Sequence, residues 1–231
     1  MKSLTFVLPI AICLTACSKG EAPAAEAPSS SPAPITAKIE LPAGAYTLDK
    51  AHASLTFRVN HLGFSHYTAR FKSFDAQLQF EPNNLAASSV TATVDPKSLD
   101  LDNPPAGFLD ELLGPQFFDA KQFPIMTFKS TKLESLGTDK VRITGDFSFH
   151  GVTKPVTLDA TFNGGYTGHP MDPHARIGFS ATGSLKRGDF GVAYGIPAPG
   201  TTMGVSDAVQ ITIEAEFSGP PSSGSAALET K

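Results

Sequence analysis

The chain predicts an all-β fold: a closed antiparallel barrel of about eight strands with one short helix. Three observations lead there. Apolar and polar residues alternate with period two through most of residues 44–218, the pattern of strands with one buried face. Clusters of Gly, Asn, Asp and Pro such as "EPNN", "LGTDK" and "NGG" separate the runs, as the tight turns of a meander require. A sheet of that many strands must also hide its edges, and closure on itself does so most completely.

The segments follow in order. Residues 1–16 read as a signal peptide: Lys2 supplies the positive region, and "LTFVLPIAICL" is too short to span a bilayer. The segment ends in "LTAC", Leu14 to Cys17, which resembles the lipobox of bacterial lipoproteins. That resemblance implies cleavage before Cys17 and acylation of its thiol, as with palmitate; an ordinary secretory signal is the alternative. Cys13 would leave with the signal, so the mature domain would hold together without a disulfide. Residues 17–43 are rich in Pro, Ala, Ser and Glu and are expected to form a disordered tether. At ~3.1 Å per residue in polyproline-like form, about 26 residues would reach roughly 80 Å. Residues 219–231 have the same character and are expected to be a disordered tail.

Between them the strands can be taken face by face. Leu55, Phe57, Val59 and His61 share one face of the first, with Ser54, Thr56, Arg58 and Asn60 on the other. Phe74, Ala76, Leu78 and Phe80 repeat the pattern, followed by Val90, Ala92 and Val94. The stretch "PPAGFLDELLG" is the helical one: Pro105 suits a first turn, Phe108, Leu109, Leu112 and Leu113 form a stripe, and Gly114 ends it. Pro124 opens the run "IMTFKSTKL". Alternation resumes with Val141, Ile143, Gly145, Phe147 and Phe149, then Val156, Leu158, Ala160 and Phe162. Ile177, Phe179, Ala181, Gly183 and Leu185 come next, and Val209, Ile211, Ile213, Ala215 and Phe217 close the series.

Many inward positions are small, among them Ala76, Ala92, Gly145, Ala160, Ala181, Gly183 and Ala215, and the chain has no tryptophan to fill space. An eight-stranded barrel is either filled by side chains or holds one small ligand. The small residues favour a cavity, although small residues suited to a tapered, packed barrel remain the other reading. Its apolar wall is expected from Leu55, Phe57 and Val59, from Phe74 and Leu78, from Phe147 and Phe149, and from Ala160, Phe179 and Ala181.

Several motifs resemble the YceI-like family in the right order: "YTLDKAHASLTFRVNHLGFS", "FFDAKQFPIMTFKST", "GDFSFHGVTKPVTL", "KRGDFGVAYG" and "VSDAVQITIEAEF". Together they span Tyr46 to Phe217. The resemblance implies a lipocalin-like barrel, exported to the bacterial envelope, with an elongated pocket for a polyisoprenoid or similar long-chain amphiphile. Two departures mark this chain. Glu111 precedes Leu112 where the family usually carries a histidine, and the lipobox with its tether occurs in only some members.

Polar groups that could meet a ligand's head are His61, at the inward end of its strand, and His150, Lys154 and Arg187 in the family's sharpest motifs. Each has a structural alternative. His61 could bond a loop carbonyl, "HGVTKP" has the form of a hairpin connection, and Arg187 could pair with Asp189 at a strand end. His52 is expected to face outward and His66 lies beyond the turn. Neither His61 with His66 nor His169 with His174 brings the three or four convergent ligands of a zinc site, so no metal is expected.

Other chemistries find little footing. The "DFG" at 189–191 lacks the remaining kinase motifs, "GFSATG" is not a nucleophile elbow, and "NGGYTG" leads into a loop rather than a helix. The formal charge is −4 and becomes −5 on loss of Lys2, 17 Lys and Arg against 22 Asp and Glu, with no basic stripe. Nucleic acid is therefore not an expected partner. The reading is a non-catalytic carrier of a long-chain lipid, without cofactor, anchored in the membrane through Cys17 with its domain in the periplasm. Ser18 after the cysteine favours the outer over the inner membrane, and self-association stays open. An enzyme acting on such a lipid and an adaptor binding a protein through the barrel exterior are the rivals.

Overall fold

The structure is a computed structural model that describes residues 41–221. Eleven elements are named in it. They are β1 (Gly44–His61), β2 (Ser65–Phe71), β3 (Phe74–Phe80), β4 (Ser89–Val94), β5 (Leu99–Asp100), α1 (Phe108–Leu113), β6 (Met126–Ser135), β7 (Lys140–Phe149), β8 (Val152–Tyr166), β9 (His174–Lys186) and β10 (Val205–Pro221), interspersed with three 3₁₀ turns. Every pairing is antiparallel, and β10 returns to β1 to close the sheet.

Ten strands reduce to an eight-strand barrel, because two barrel strands are interrupted. Strand β1 pairs with β3 at Gly44↔Phe80 and with β2 at Leu55↔Phe71, so β2 and β3 lie end to end along one edge of it. Likewise β4 pairs with β3 and β5 with β2. Two backbone bonds carry the ladder across the breaks, from Asp95 N–H to the Ser73 carbonyl at 3.0 Å and from Lys72 N–H to the Ser98 carbonyl at 3.1 Å. The expected meander is thus present. Its breaks bend the strands where closure demands it, as does the excursion of residues 49–52, bracketed by Leu48↔Phe217 and Ala53↔Ala215.

The meander gives the barrel two unlike ends. One carries the tight turns β1–β2 and β7–β8 and the long connections 101–125 and 187–204. The other carries the β3–β4, β6–β7 and β8–β9 connections together with Gly44 and Pro221. We call them the loop end and the terminal end. Buried apolar residues gather correspondingly in two clusters, one around Phe71, Phe149 and Phe190 and one around Tyr46, Ile177 and Phe217.

The helix forms where the stripe predicts it, and Leu109, Leu112 and Leu113 pack on the loop-end cluster. Pro105 lies just before it, its carbonyl accepting from Phe108 N–H at 3.1 Å, and Gly107 in the left-handed region opens the turn. Gly114 does end the helix, in extended rather than left-handed conformation.

Both domain edges need correction. The expected tether reaches too far, since Leu41 is buried in the terminal-end cluster and the Pro42 carbonyl accepts from Tyr46 Oη at 2.8 Å. The expected tail begins too early, since β10 continues through Gly219 to Pro221, which faces His174. Glycine is required at 219 because a Cβ there would lie 2.1 Å from the Tyr46 ring. The signal peptide, Cys17 and the remainder of tether and tail lie outside the described residues.

Candidate functional site: an apolar cavity through the barrel

Alternation along eight strands sends one side chain in two to the barrel axis, and the predicted apolar wall assembles there. Leu55, Phe57, Val59, Phe74, Leu78, Phe147, Phe149, Ala160, Phe179 and Ala181 all line one cavity of about 1450 Å³. The small residues leave room where they face one another: Ala76 stands opposite Ala92, and Ala160 opposite Ala181. The glycines act differently. A Cβ on Gly145 would lie 2.4 Å from the Phe128 ring and one on Gly183 2.5 Å from Leu158, so these two admit neighbouring side chains and not a guest.

The cavity reaches the surface at both ends. At the loop end His61 and Tyr194 are exposed and still line it; at the terminal end Asn83, Thr138 and Asp139 do the same. With ten residues in β7 at about 3.3 Å each and a strand tilt near 40°, the barrel is roughly 25 Å tall.

The four candidate head-group residues separate. His61 ends β1 at the mouth, as expected. Arg187 touches the cavity but commits four of its five N–H donors to main-chain carbonyls. Its Nε donates to the Ser206 carbonyl at 3.0 Å, Nη1 to those of Val192 and Tyr194 at 3.0 and 2.8 Å, and Nη2 to that of Val205 at 2.8 Å. Burial pushes its guanidinium pKa down, with the Asp207 charge opposing. The alternative pairing with Asp189 is also corrected, since the guanidinium is directed to carbonyls; Asp207 Oδ1 accepts from Gly188 N–H at 2.7 Å instead.

His150 is not at the cavity wall. It forms with Gly151 the two-residue turn between β7 and β8, both at positive φ (51° and 77°), which matches a type I′ hairpin. Its ring nitrogens lie 3.2 Å from the Phe190 carbonyl and 3.3 Å from the Pro115 carbonyl, so it ties the two long loops together. Lys154 stands opposite Phe147 in register but is exposed and outside the cavity lining.

A polar group that sequence reasoning passed over is Tyr67. Its hydroxyl is buried at the cavity and has no hydrogen-bond partner among the described residues. Burial, then the nearby Asp102 charge, pushes the phenol pKa up. The signal was legible: "YTARF" alternates, and Tyr67 pairs with the inward Val59. Glu111, at the position where a histidine was expected, also lines the cavity, from α1.

Among the described residues one group could present three metal ligands, Asp49, His52 and Glu216 at the terminal end. The Arg176 guanidinium already binds Asp49 there, placing a cation where a metal would sit. His52, then Arg176, holds the Asp49 carboxyl down to about 2, and Asp49 in turn pushes His52 up. Arg176 also donates to Asp172 at 2.9 Å, and Tyr166 Oη does so at 2.7 Å. This is an ion-pair cluster stapling the residue 49–52 excursion to the β8–β9 connection.

Comparison with known proteins agrees with this architecture. A UPF0312 protein of Vibrio cholerae is 36% identical over 190 residues, 79% of this chain and 93% of its own. The crystal structure of the Campylobacter jejuni YCEI protein matches with a TM-score of 0.59 and 32% identity, covering 76% of this chain and 98% of that one. A polyisoprenoid binding domain from Saccharophagus degradans shares the fold alone, at TM-score 0.53 and 14% identity over 76% of this chain and 98% of its own. The YceI-like domain family matches residues 46–217, nearly the whole barrel, and the chain belongs to that family.

Proposed function

We propose that the barrel is a non-catalytic carrier that holds one long-chain lipid, a polyisoprenoid or an amphiphile of similar length, along its axis. The observation that carries this is the continuous apolar cavity of about 1450 Å³, larger than the ~300–1,000 Å³ of most small-molecule pockets. Each methylene buried there contributes about 0.8 kcal/mol, so affinity comes from the chain, less the cost of ordering it. The head lies at the loop end, where the Tyr67 hydroxyl and His61 supply polar partners. The polyisoprenoid ligand of the Saccharophagus degradans domain supports the ligand class through the shared fold. The "LTAC" motif supports acylation at Cys17 and residence in the bacterial envelope, with the domain in the periplasm.

Native mass spectrometry of the protein purified from bacterial envelopes, followed by denaturing extraction, tests the reading. One long-chain species per barrel is expected, and Ala181→Phe, which fills the axis opposite Ala160, is expected to lower retained lipid at least tenfold with the fold intact. His61→Ala weakens retention less. A protein that is reproducibly empty and gains no thermal stability from added prenyl lipids or fatty acids would overturn it.

A further inference from the structure

The loop end is unevenly charged. From 59 to 69 and again from 190 to 206 the sequence contains no Asp, Glu, Lys or Arg, whereas the connection 101–125 carries Asp102, Asp110, Glu111, Asp119 and Lys121. The two uncharged stretches meet in space. Leu62 N–H donates to the Gly204 carbonyl at 2.9 Å, and a Cβ on Gly63 would lie 3.1 Å from Thr202 Oγ1. Their union presents three large apolar side chains to solvent: Phe64 at 82%, Met203 at 69% and Tyr194 at 54% exposure.

Such a projection is costly in water, and here its backbone is prepared to leave water. Phe64 N–H donates to the His61 carbonyl and Val205 N–H to the Gly195 carbonyl, both at 2.9 Å. Gly63 N–H donates to Asn60 Oδ1 at 2.8 Å. Beneath it Arg187 takes up the carbonyls of Val192, Tyr194, Val205 and Ser206. With these carbonyls and amides paired and no Asp, Glu, Lys or Arg in the two stretches, desolvating the tip carries a smaller polar penalty than desolvating a charged loop. The opposite end differs: its exposed Met171 is followed by Asp172, and Asp139 and Lys140 stand at its cavity opening.

We infer that the tip formed by residues 62–66 and 193–204 is a bilayer-docking surface, through which the cavity loads and releases its lipid. The inference rests on the lipid-carrier reading and adds where exchange occurs. His61, Tyr194, Gly195 and Val205 belong to the tip or its base and also line the cavity. A chain leaving the bilayer beneath the tip enters the barrel without crossing water. A bilayer is the favoured occupant because a water-insoluble cargo resides there and because an uncharged, aromatic-bearing apex suits its interface.

The absence of tryptophan makes the test direct, since a single introduced tryptophan is the only one in the protein. The full chain carrying Phe64→Trp is mixed with vesicles of phosphatidylethanolamine and phosphatidylglycerol, with and without brominated acyl chains. Met171→Trp at the terminal end serves as the control. Emission from position 64 is expected to shift to shorter wavelength and to be quenched by bromine, while position 171 stays unchanged; this holds whether or not the N-terminus is acylated. In addition, Phe64→Asp with Met203→Asp is expected to slow lipid uptake from vesicles at least tenfold while the lipid retained at equilibrium, read by native mass spectrometry, stays at one per barrel.

A shift at position 171 alone, or none at 64, overturns the docking inference. A shift at 64 that needs protein concentration but no vesicles assigns the tip to a second copy and overturns it too. If docking fails while lipid is still retained, the carrier reading stands; if neither lipid retention nor docking is seen, both fall.

Discussion

At the loop end of the barrel a single buried guanidinium organises an uncharged tip, whereas at the terminal end half-buried charges clamp one another. Arg187 is 6% exposed and gives all its bonds to main-chain carbonyls. Arg176 has 27% side-chain exposure and bonds two carboxylates, Asp49 and Asp172. The same residue type thus serves opposite purposes. Buried among carbonyls it holds loops while hiding its charge, and half in water it pins a strand excursion with pairs that solvent screens. The difference matches the uses proposed for the two ends, one leaving water to meet a bilayer and the other staying wet.

The largest effect should come from Arg187→Ala. Loss of the guanidinium strands four carbonyls, and a cost of about 3 kcal/mol is expected, which lowers Tm by roughly 6–12 °C for a domain of this size. Arg187→Lys should recover part of it. A loss below about 1 kcal/mol in thermal or urea unfolding would show that the tip does not depend on this residue.

Tyr67→Phe should act in opposite senses with and without lipid. Removing an unpaired buried hydroxyl should stabilise the lipid-free protein by about 1 kcal/mol, yet weaken lipid affinity roughly three- to tenfold if the head bonds there. Melting curves with and without lipid, together with a competition titration, read both arms. Unchanged affinity would move the head group away from Tyr67.

The smallest effect belongs to Arg176→Ala, at about 1 kcal/mol or less near neutral pH. Asp49 is held below its ordinary 3.8, to about 2, so its contribution is complete above about pH 4 and lost as pH falls through its folded value. The deficit of Arg176→Ala should therefore be constant from pH 8 to 5 and shrink between pH 4 and 2 in acid unfolding series. His52 runs the other way: raised by Asp49, it stabilises below its ordinary 6.5, and that share fades as pH rises through the raised value. A deficit that stays flat down to pH 2 would mean the clamp contributes nothing through charge.

Much of this was legible in one dimension. Alternation placed Leu55, Phe57, Val59 and His61 inward, and the cavity lining confirms that placement. The hairpin alternative for "HGVTKP" was also legible, because His-Gly between two alternating runs suits a turn with two positive φ angles. The inward face of Tyr67 was legible in the alternation of "YTARF", but its unpartnered hydroxyl was not, because the walls that enclose it come from other strands. Arg187 could not be read correctly. Its partners Val192, Tyr194, Val205 and Ser206 are main-chain carbonyls, which carry no mark in sequence, whereas the nearby Asp189 does.

By itself, then, the sequence determined the strands, their inward faces and the family, because period-two patterning and turn chemistry act over a few residues. Only the tertiary structure decided which polar residues share a space. Closure brought 59–69 beside 190–206 and so made an uncharged tip, joined Asp49 to Arg176 across the sheet, and sealed Tyr46 against Gly219. These are long-range contacts whose geometry depends on register and bulges summed around the whole barrel, and no local pattern encodes that sum.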